Sequence, residues 1–260
     1  MLKFFERLWR LIATAISFVV FGLGGLIISL VLAPAIYVVS PNQLIRHRRG
    51  KALLHYAFRL FLQILKWLGV LTFEVHGLEK LSKAQLVLAN HPTLIDVIFL
   101  MAMVPNASCI VKSSLSRNLF TGSPVKSAGY IINDDSARVM TDAAAAAFSN
   151  GEALIVFPEG TRSKPDKPLT LKRGAAYIAV KTQADVTLVL IRCEPVTLVK
   201  GQAWYKVPMT RPHFTISVTG EFPTDSFVAM EKPSVAARQM TLALTNYFNK
   251  EIGLSERSTY

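Results

Sequence analysis

This chain is short of cysteine and of acid, and over one long stretch it carries no charge at all. Two cysteines occur in 260 residues, Cys109 and Cys193, each inside an apolar run. Their spacing offers neither a zinc site nor a disulfide framework, so both read as buried, inert thiols in a reducing, cytoplasmic setting. Asp and Glu number 17 against 29 Lys and Arg, a formal charge of +12 with a pI near 9.9. Such a balance suits an anionic membrane surface, an acidic carrier protein, a phosphorylated substrate or nucleic acid. The basic residues are scattered or juxtamembrane and form no recognised nucleic-acid module, so lipid is the simpler partner. A Gly-x-Ser-x-Gly elbow is missing, which counts against a lipid hydrolase using Ser113 or Ser163 as nucleophile.

The uncharged stretch runs from Leu11 to Ile45. It exceeds the roughly 20 apolar residues that span a bilayer and the roughly 7–15-residue core of a secretory signal, so Ala33-Pro34-Ala35 is not read as a cleavage site. Two geometries fit. One is a single spanning helix; the other is a hairpin turning at Gly22-Leu23-Gly24-Gly25, because glycine readily adopts turn conformations. Basic residues stand on both sides: Lys3, Arg7 and Arg10 before, Arg46, Arg48, Arg49 and Lys51 after. Basic flanks favour the cytoplasmic side, so the expected location is the cytoplasmic face of the cell (inner) membrane, monotopic or single-pass. Residues 51–68 follow, apolar with sparse basic and aromatic side chains. They fit an interfacial helix or a helix covering a catalytic sheet.

Beyond Gly69 short apolar runs alternate with helical patterns. Strands are expected at 70–76, 85–89, 107–111, 129–132, 152–157, 186–193 and 213–219, and helices at 92–104, 114–120, 136–149, 171–183 and 234–251. This alternation predicts an α/β fold: a single mixed sheet covered by helices, with an N-terminal hydrophobic helical membrane-attachment segment. Residues 1–69 form the attachment region and 70–260 one catalytic domain. Only a short polar tail follows Gly253.

Two polar blocks follow apolar strands. The first is Asn90-His91-Pro92-Thr93-Leu94-Ile95-Asp96. Imidazole titrates near neutrality and is the usual general base; a carboxylate on its second nitrogen fixes the tautomer and stabilises the imidazolium. His91 and Asp96 sit five apart, about 140° around a helix, so they meet only if His91 precedes the helix and Asp96 lies within it. Pro92 as first helical residue would give that register. The second block, Phe157-Pro158-Glu159-Gly160-Thr161-Arg162-Ser163, comes about 60 residues later. Arginine can grip phosphate bidentately, and glycine allows close backbone approach.

Together the blocks resemble the glycerolipid acyltransferase family, whose best-known members acylate lysophosphatidic acid. The resemblance covers roughly 85 to 195. It implies His91 as the base on an acceptor hydroxyl, Asp96 orienting it, and direct attack on an acyl thioester. Neither an acyl-enzyme, a metal nor a resident cofactor is implied; the co-substrate is acyl-CoA or acyl-ACP. Glu159, Gly160, Thr161 and Arg162 would shape the acceptor's glycerol-phosphate site, with Lys112 adding positive charge. Partners are then a membrane lysolipid and an acyl carrier protein or coenzyme A thioester.

The sequence departs from the family in two places. Asn133-Asp134-Asp135 stands where many relatives place an arginine, with the next at Arg138, and Val186–Ile191 lacks a proline. The acidic pair suits an amino-acid-based acceptor such as a lyso-ornithine lipid, or caps the following helix. A non-catalytic membrane adaptor is the remaining alternative.

Overall fold

The protein is described from a computed structural model that covers residues 2–133, 137–165 and 167–253. Asp134, Asp135 and the tail beyond Gly253 lie outside the described residues, as does the side chain of Lys3.

The N-terminal run is helical from Leu2 to Val39: α1 (Leu2–Ile27), a π-helical turn (Ile28–Leu32) and α2 (Ala33–Val39). Gly22, Gly24 and Gly25 lie inside α1, so the hairpin turn expected there does not form. Glycine permits a turn without requiring one, and the apolar residues around it keep the helical backbone bonds intact. Pro34 explains the π turn, because its ring lacks an N–H and would collide with the carbonyl four residues back. The chain reverses instead at Ser40-Pro41, and the side chain of Asn42 caps α3 (Gln43–Trp67) by accepting from Ile45 N–H at 2.9 Å.

The apolar pattern of α1 is inverted relative to a soluble surface helix. Its protein-facing side carries the buried Arg10, Ala13, Thr14 and Ser17, whereas Phe5, Ile12, Val19, Leu23 and Ile27 are exposed. Helix α3 begins eight residues before the predicted start and lays Leu54, Leu62 and Leu65 into the core. It is the helix that covers the sheet, with Tyr56, Leu60 and Trp67 left on its outer side. Lys51, counted above as a basic membrane flank, is instead 1 % exposed and pairs with Glu152 at 2.5 Å. Gly50 makes the crossing with the later helix 122–128 possible, since a Cβ there would sit 2.6 Å from the backbone of Ser127.

Seven strands follow in the expected places: β1 (Thr72–His76), β2 (Leu86–Ala89), β3 (Ala107–Val111), β4 (Ile131–Ile132), β5 (Ala153–Val156), β6 (Val186–Glu194) and β7 (His213–Phe222). Between and after them come α4 (Asp96–Met103), α5 (Ser113–Arg117), α6 (Gly122–Ala128), α7 (Ala137–Ser149), α8 (Arg173–Thr182), α9 (Asp225–Val228) and α10 (Pro233–Glu251). The strand order is β1-β7-β6-β2-β5-β3-β4, with β6–β7 antiparallel and every other pair parallel. This is the mixed α/β sheet the alternation predicts. One face packs under α3 and α4 through Leu62, Leu65, Ile98 and Phe99. The other packs under α8 and α10 through Ile178, Ala179, Met240 and Phe248. Both central strands, β2 and β5, are therefore apolar on both faces, as buried parallel strands must be.

Helix α1 runs along one edge of this sheet. Trp9 Nε1 donates to Leu68 O, just before β1, and Arg10 donates to Met209 O, just before β7. Further along, Gly25 meets the Phe120 carbonyl and Ser29 donates to Leu119 O, both in the segment after β3. The carboxyl ends of β2 and β5 lie between those contacts. From Trp9 to Ser29 a helix rises about 30 Å, enough to pass six strands spaced about 4.8 Å apart.

Candidate active site

At the carboxyl end of β2 the backbone leaves the sheet, and Asn90 covers the departure. Its carboxamide donates to Ile191 O and accepts from Ile191 N–H, each at 2.8 Å. His91 follows in a loop, and α4 begins only at Asp96 rather than at Pro92. The intervening turn winds around the Asp96 carboxylate. Thr93 N–H donates to Oδ2 at 2.6 Å, and Thr93 Oγ1 donates to Oδ1 at 2.5 Å. That wrapping accounts for the delayed helix start, because the turn's polar groups are satisfied by the side chain instead of by helical bonds. The first position of α4 also favours a negative charge through the helix dipole.

His91 Nδ1 lies 2.8 Å from Asp96 Oδ2. With the carboxylate accepting Nδ1–H, the remaining ring nitrogen, Nε2, carries the lone pair available to a substrate proton. Asp96 is fully buried, while the His91 side chain keeps 18 % of its surface. The pair therefore joins a carboxylate in the interior to an imidazole that reaches the surface. Burial pushes the Asp96 carboxyl above its ordinary range, against the pull of His91 and Thr93. The ring of Phe157 stacks on the imidazole, centroids 4.2 Å apart, and fixes its plane.

The second block comes off β5, the parallel neighbour of β2. Glu159 does not face outwards as an anion-site residue would. Its Oε1 accepts from His91 N–H and from Ser163 Oγ, both at 2.9 Å, while Ser163 N–H donates to His91 O at 2.7 Å. The two blocks are thus clamped together through one carboxylate, which burial pushes above its ordinary range. Gly160 adopts φ +66° with Lys172 packed where a Cβ would lie. Thr161 is exposed. Arg162 Nη1 donates to the carbonyls of Leu198 at 2.9 Å and Val199 at 3.2 Å. Lys112 stands exposed at the end of β3, on the same sheet edge.

The geometry therefore brings His91, Asp96 and Glu159 into one hydrogen-bonded unit, with Gly160, Thr161 and Arg162 continuing it and Lys112 two strands from β2. Sequence reasoning gave no role to Asn90, Thr93 or Phe157, and weighed Ser163 only as a disfavoured hydrolase nucleophile. All four lie inside the two blocks, so their position was visible; their bonding was not. Ser163 has its hydroxyl tied to Glu159, and Cys193, beside the site, is buried with its thiol pushed up to about 12.

The acyltransferase family matches residues 72–194, which include both blocks. A 1-acyl-sn-glycerol-3-phosphate acyltransferase of Helicobacter pylori is 32 % identical over 162 residues, covering 58 % of this chain and 68 % of that one. The chain belongs to the glycerolipid acyltransferase family. The human 1-acyl-sn-glycerol-3-phosphate acyltransferase alpha is 27 % identical to this acyltransferase over 198 residues, covering 72 % of it and 68 % of the human protein. The crystal structure of the 1-acyl-sn-glycerophosphate (LPA) acyltransferase PlsC from Thermotoga maritima shares the acyltransferase's fold. Its TM-score is 0.65 at 18 % identity, covering 99 % of this chain and 100 % of that one.

Proposed function

We propose that this acyltransferase moves a fatty acyl group from an acyl carrier protein or coenzyme A thioester to the free hydroxyl of 1-acyl-glycerol-3-phosphate. The observation that carries the reading is the 2.8 Å contact between His91 and Asp96 on the sheet edge along which the apolar helix runs. The acceptor hydroxyl gives its proton to His91 Nε2 as its oxygen attacks the thioester carbonyl. Asp96 stabilises the imidazolium through Nδ1–H. The tetrahedral intermediate then expels the thiolate, which takes the proton back from Nε2, leaving an ester and a free thiol. General-base assistance of this kind contributes about 10²–10⁴-fold. The steps call on no metal and no resident cofactor, so chelators should leave the rate unchanged.

Arg162 is the residue we assign to the acceptor phosphate. Two loop carbonyls hold Nη1, which pre-sets the fork, and the other guanidinium donors serve the anion. Lys112 and Lys172 add charge, and Gly160 and Thr161 let the backbone approach. The names of the relatives favour glycerol phosphate over an amino-acid lipid as acceptor. For the donor we propose the cleft lined by Asn90, Ser163, Lys164, Lys167, Arg192 and Glu194, whose three cations outnumber its one acid and suit an acidic carrier.

We further propose monotopic attachment to the cytoplasmic face of the membrane, residues 1–69 supplying the lipid contacts and 70–260 the chemistry. Helix Phe4–Val39 is long and apolar enough to cross a membrane. At about 54 Å, however, it outruns a hydrocarbon core of about 30 Å. Its contacts with the catalytic domain recur from Arg10 to Ser29, so a transverse orientation would draw the active-site edge into the bilayer. Lying flat, it turns its apolar side to one leaflet, with Arg7, Arg46, Arg48 and Arg49 near the headgroups.

The test is purified full-length protein with labelled acyl-ACP and acyl-CoA and a panel of lysolipids, including lysophosphatidic acid and lyso-ornithine lipid, with products identified by mass spectrometry. Diacylated glycerol phosphate is expected. Transfer confined to phosphate-free acceptors, or release of fatty acid without an acceptor, would overturn the assignment.

A further inference from the structure

Strands β6 and β7 are antiparallel neighbours, a pair that a two-residue turn can join. Here eighteen residues join them, 195–212, without a helix or strand of their own. Connections of this length are uncommon inside compact domains and usually serve function. This one is held in shape by its own bonds. Gln202 accepts from Val199 N–H at 3.2 Å and donates to Lys206 O at 3.1 Å, while Lys206 N–H donates to Ala203 O at 3.0 Å.

The composition of the loop is one-sided. From Pro195 to Gly220 there is no Asp or Glu, and the loop carries Lys200, Lys206 and Arg211, all exposed. Its large apolar side chains also face solvent: Trp204 is 45 %, Tyr205 57 % and Met209 51 % exposed. The loop is seated directly on α1. Phe18 meets Trp204 with ring centroids 5.8 Å apart, and Arg10 donates to Met209 O. Its exposed apolar surface therefore continues that of the helix.

We propose that residues 199–211 are a second lipid-contacting element, seating Trp204, Tyr205 and Met209 in the headgroup boundary of an anionic bilayer. Aromatic rings beside basic side chains match that boundary, where each Lys or Arg strengthens attraction to anionic lipid about fivefold. The inference rests on the monotopic reading of α1, whose lipid-facing side the loop extends. Its base reaches the chemistry. Leu198, in the left-handed region at φ +53°, accepts from Arg162 Nη1 and from Leu94 N–H, which lies between His91 and Asp96. A leucine holds that conformation only where its surroundings demand it. The lipid-facing loop and the phosphate-binding arginine thus share one anchor.

The experiment uses the full chain with Trp9→Phe and Trp67→Phe, leaving Trp204 as the single tryptophan. It is bound to phosphatidylglycerol/phosphatidylcholine vesicles carrying nitroxide lipids labelled at the headgroup, carbon 5 or carbon 12. Trp204 emission should be quenched at least twofold more by the two shallow labels than by carbon 12. Adding Lys200→Gln, Lys206→Gln and Arg211→Gln should weaken the shallow quenching on these anionic vesicles. Vesicle-bound protein with no quenching at any depth overturns the proposal and leaves the monotopic reading standing. Protein that does not sediment with vesicles overturns both.

Discussion

Asn90 completes the β2–β6 ladder with its side chain, pairing with both backbone groups of Ile191 at 2.8 Å. The sheet keeps its hydrogen bonding at the point where the main chain swings out to present His91. An amide is the group for this task, because it offers one donor and one acceptor in the plane of a peptide.

Asn90→Ala should strand both Ile191 groups in the interior. Each unsatisfied group costs about 1–3 kcal/mol, so urea unfolding should show a loss of about 2–6 kcal/mol. Asn90→Asp, whose ionised oxygen would face the buried Ile191 carbonyl, should be no more stable than alanine at neutral pH and should recover as pH falls and the acid becomes a donor. Equal stability of the three proteins would contradict the ladder role.

Asp96 and Thr93 should separate by kinetics. Asp96→Asn should lower kcat about 10³–10⁴-fold with little change in KM, since it removes the tautomer control that a carboxylate exerts. Thr93→Val deletes one of the carboxylate's three donors and should lower kcat about tenfold. It should also move the acid limb of the pH–rate profile upwards, because Asp96 would then hold its proton more tightly. Thr93→Ser should restore both readouts; a profile unchanged in Thr93→Val would count against the positioning role.

Stability should respond to pH through Glu159. Burial raises its folded pKa above the unfolded value, so the folded state holds this proton more tightly. That contribution is fully present below the ordinary carboxylate pKa and is lost as pH rises through the folded value. Glu159→Gln retains an oxygen for His91 N–H and Ser163 Oγ but cannot titrate. Relative to the native protein, it should therefore gain stability as pH rises from the ordinary carboxylate pKa through the raised folded value. Urea midpoints with parallel pH slopes would refute this.

Lys51 and Glu152 form a buried ion pair at the amino end of β5, away from the site. Burial holds the Lys51 pKa below its ordinary value, and Glu152 offsets part of that effect. Lys51→Met alone should destabilise by about 3–5 kcal/mol, whereas Lys51→Met with Glu152→Leu should recover most of the loss. Calorimetry on the single and double variants measures the difference. A double variant no more stable than the single would show that the pair is not the reason.

The seven strands were legible because buried apolar runs such as Leu86–Ala89 and Val186–Ile191 announce themselves by composition. Helix α6 was not. No helix was expected over 122–128, where Gly122 and Pro124 are poor helix formers; proline is nonetheless tolerated in a first helical turn, and packing against α3 at Gly50 secures the segment. The register of α4 was missed because Pro92 suits a helix start, while the deciding bonds run from Thr93 to Asp96. His91 and Asp96 could be named from their spacing. That Glu159 clamps the two blocks depends on β2 lying beside β5, a pairing between distant segments that no local pattern encodes. The same holds for Lys51, whose partner is about a hundred residues away.

A helix laid flat along the catalytic edge changes how encounters between enzyme and acceptor are counted. On the monotopic reading, the lysolipid arrives by sideways diffusion within a leaflet. Its effective concentration is then a mole fraction among neighbouring lipids. Adding inert phospholipid at constant total acceptor should slow turnover by surface dilution, whereas adding buffer should not.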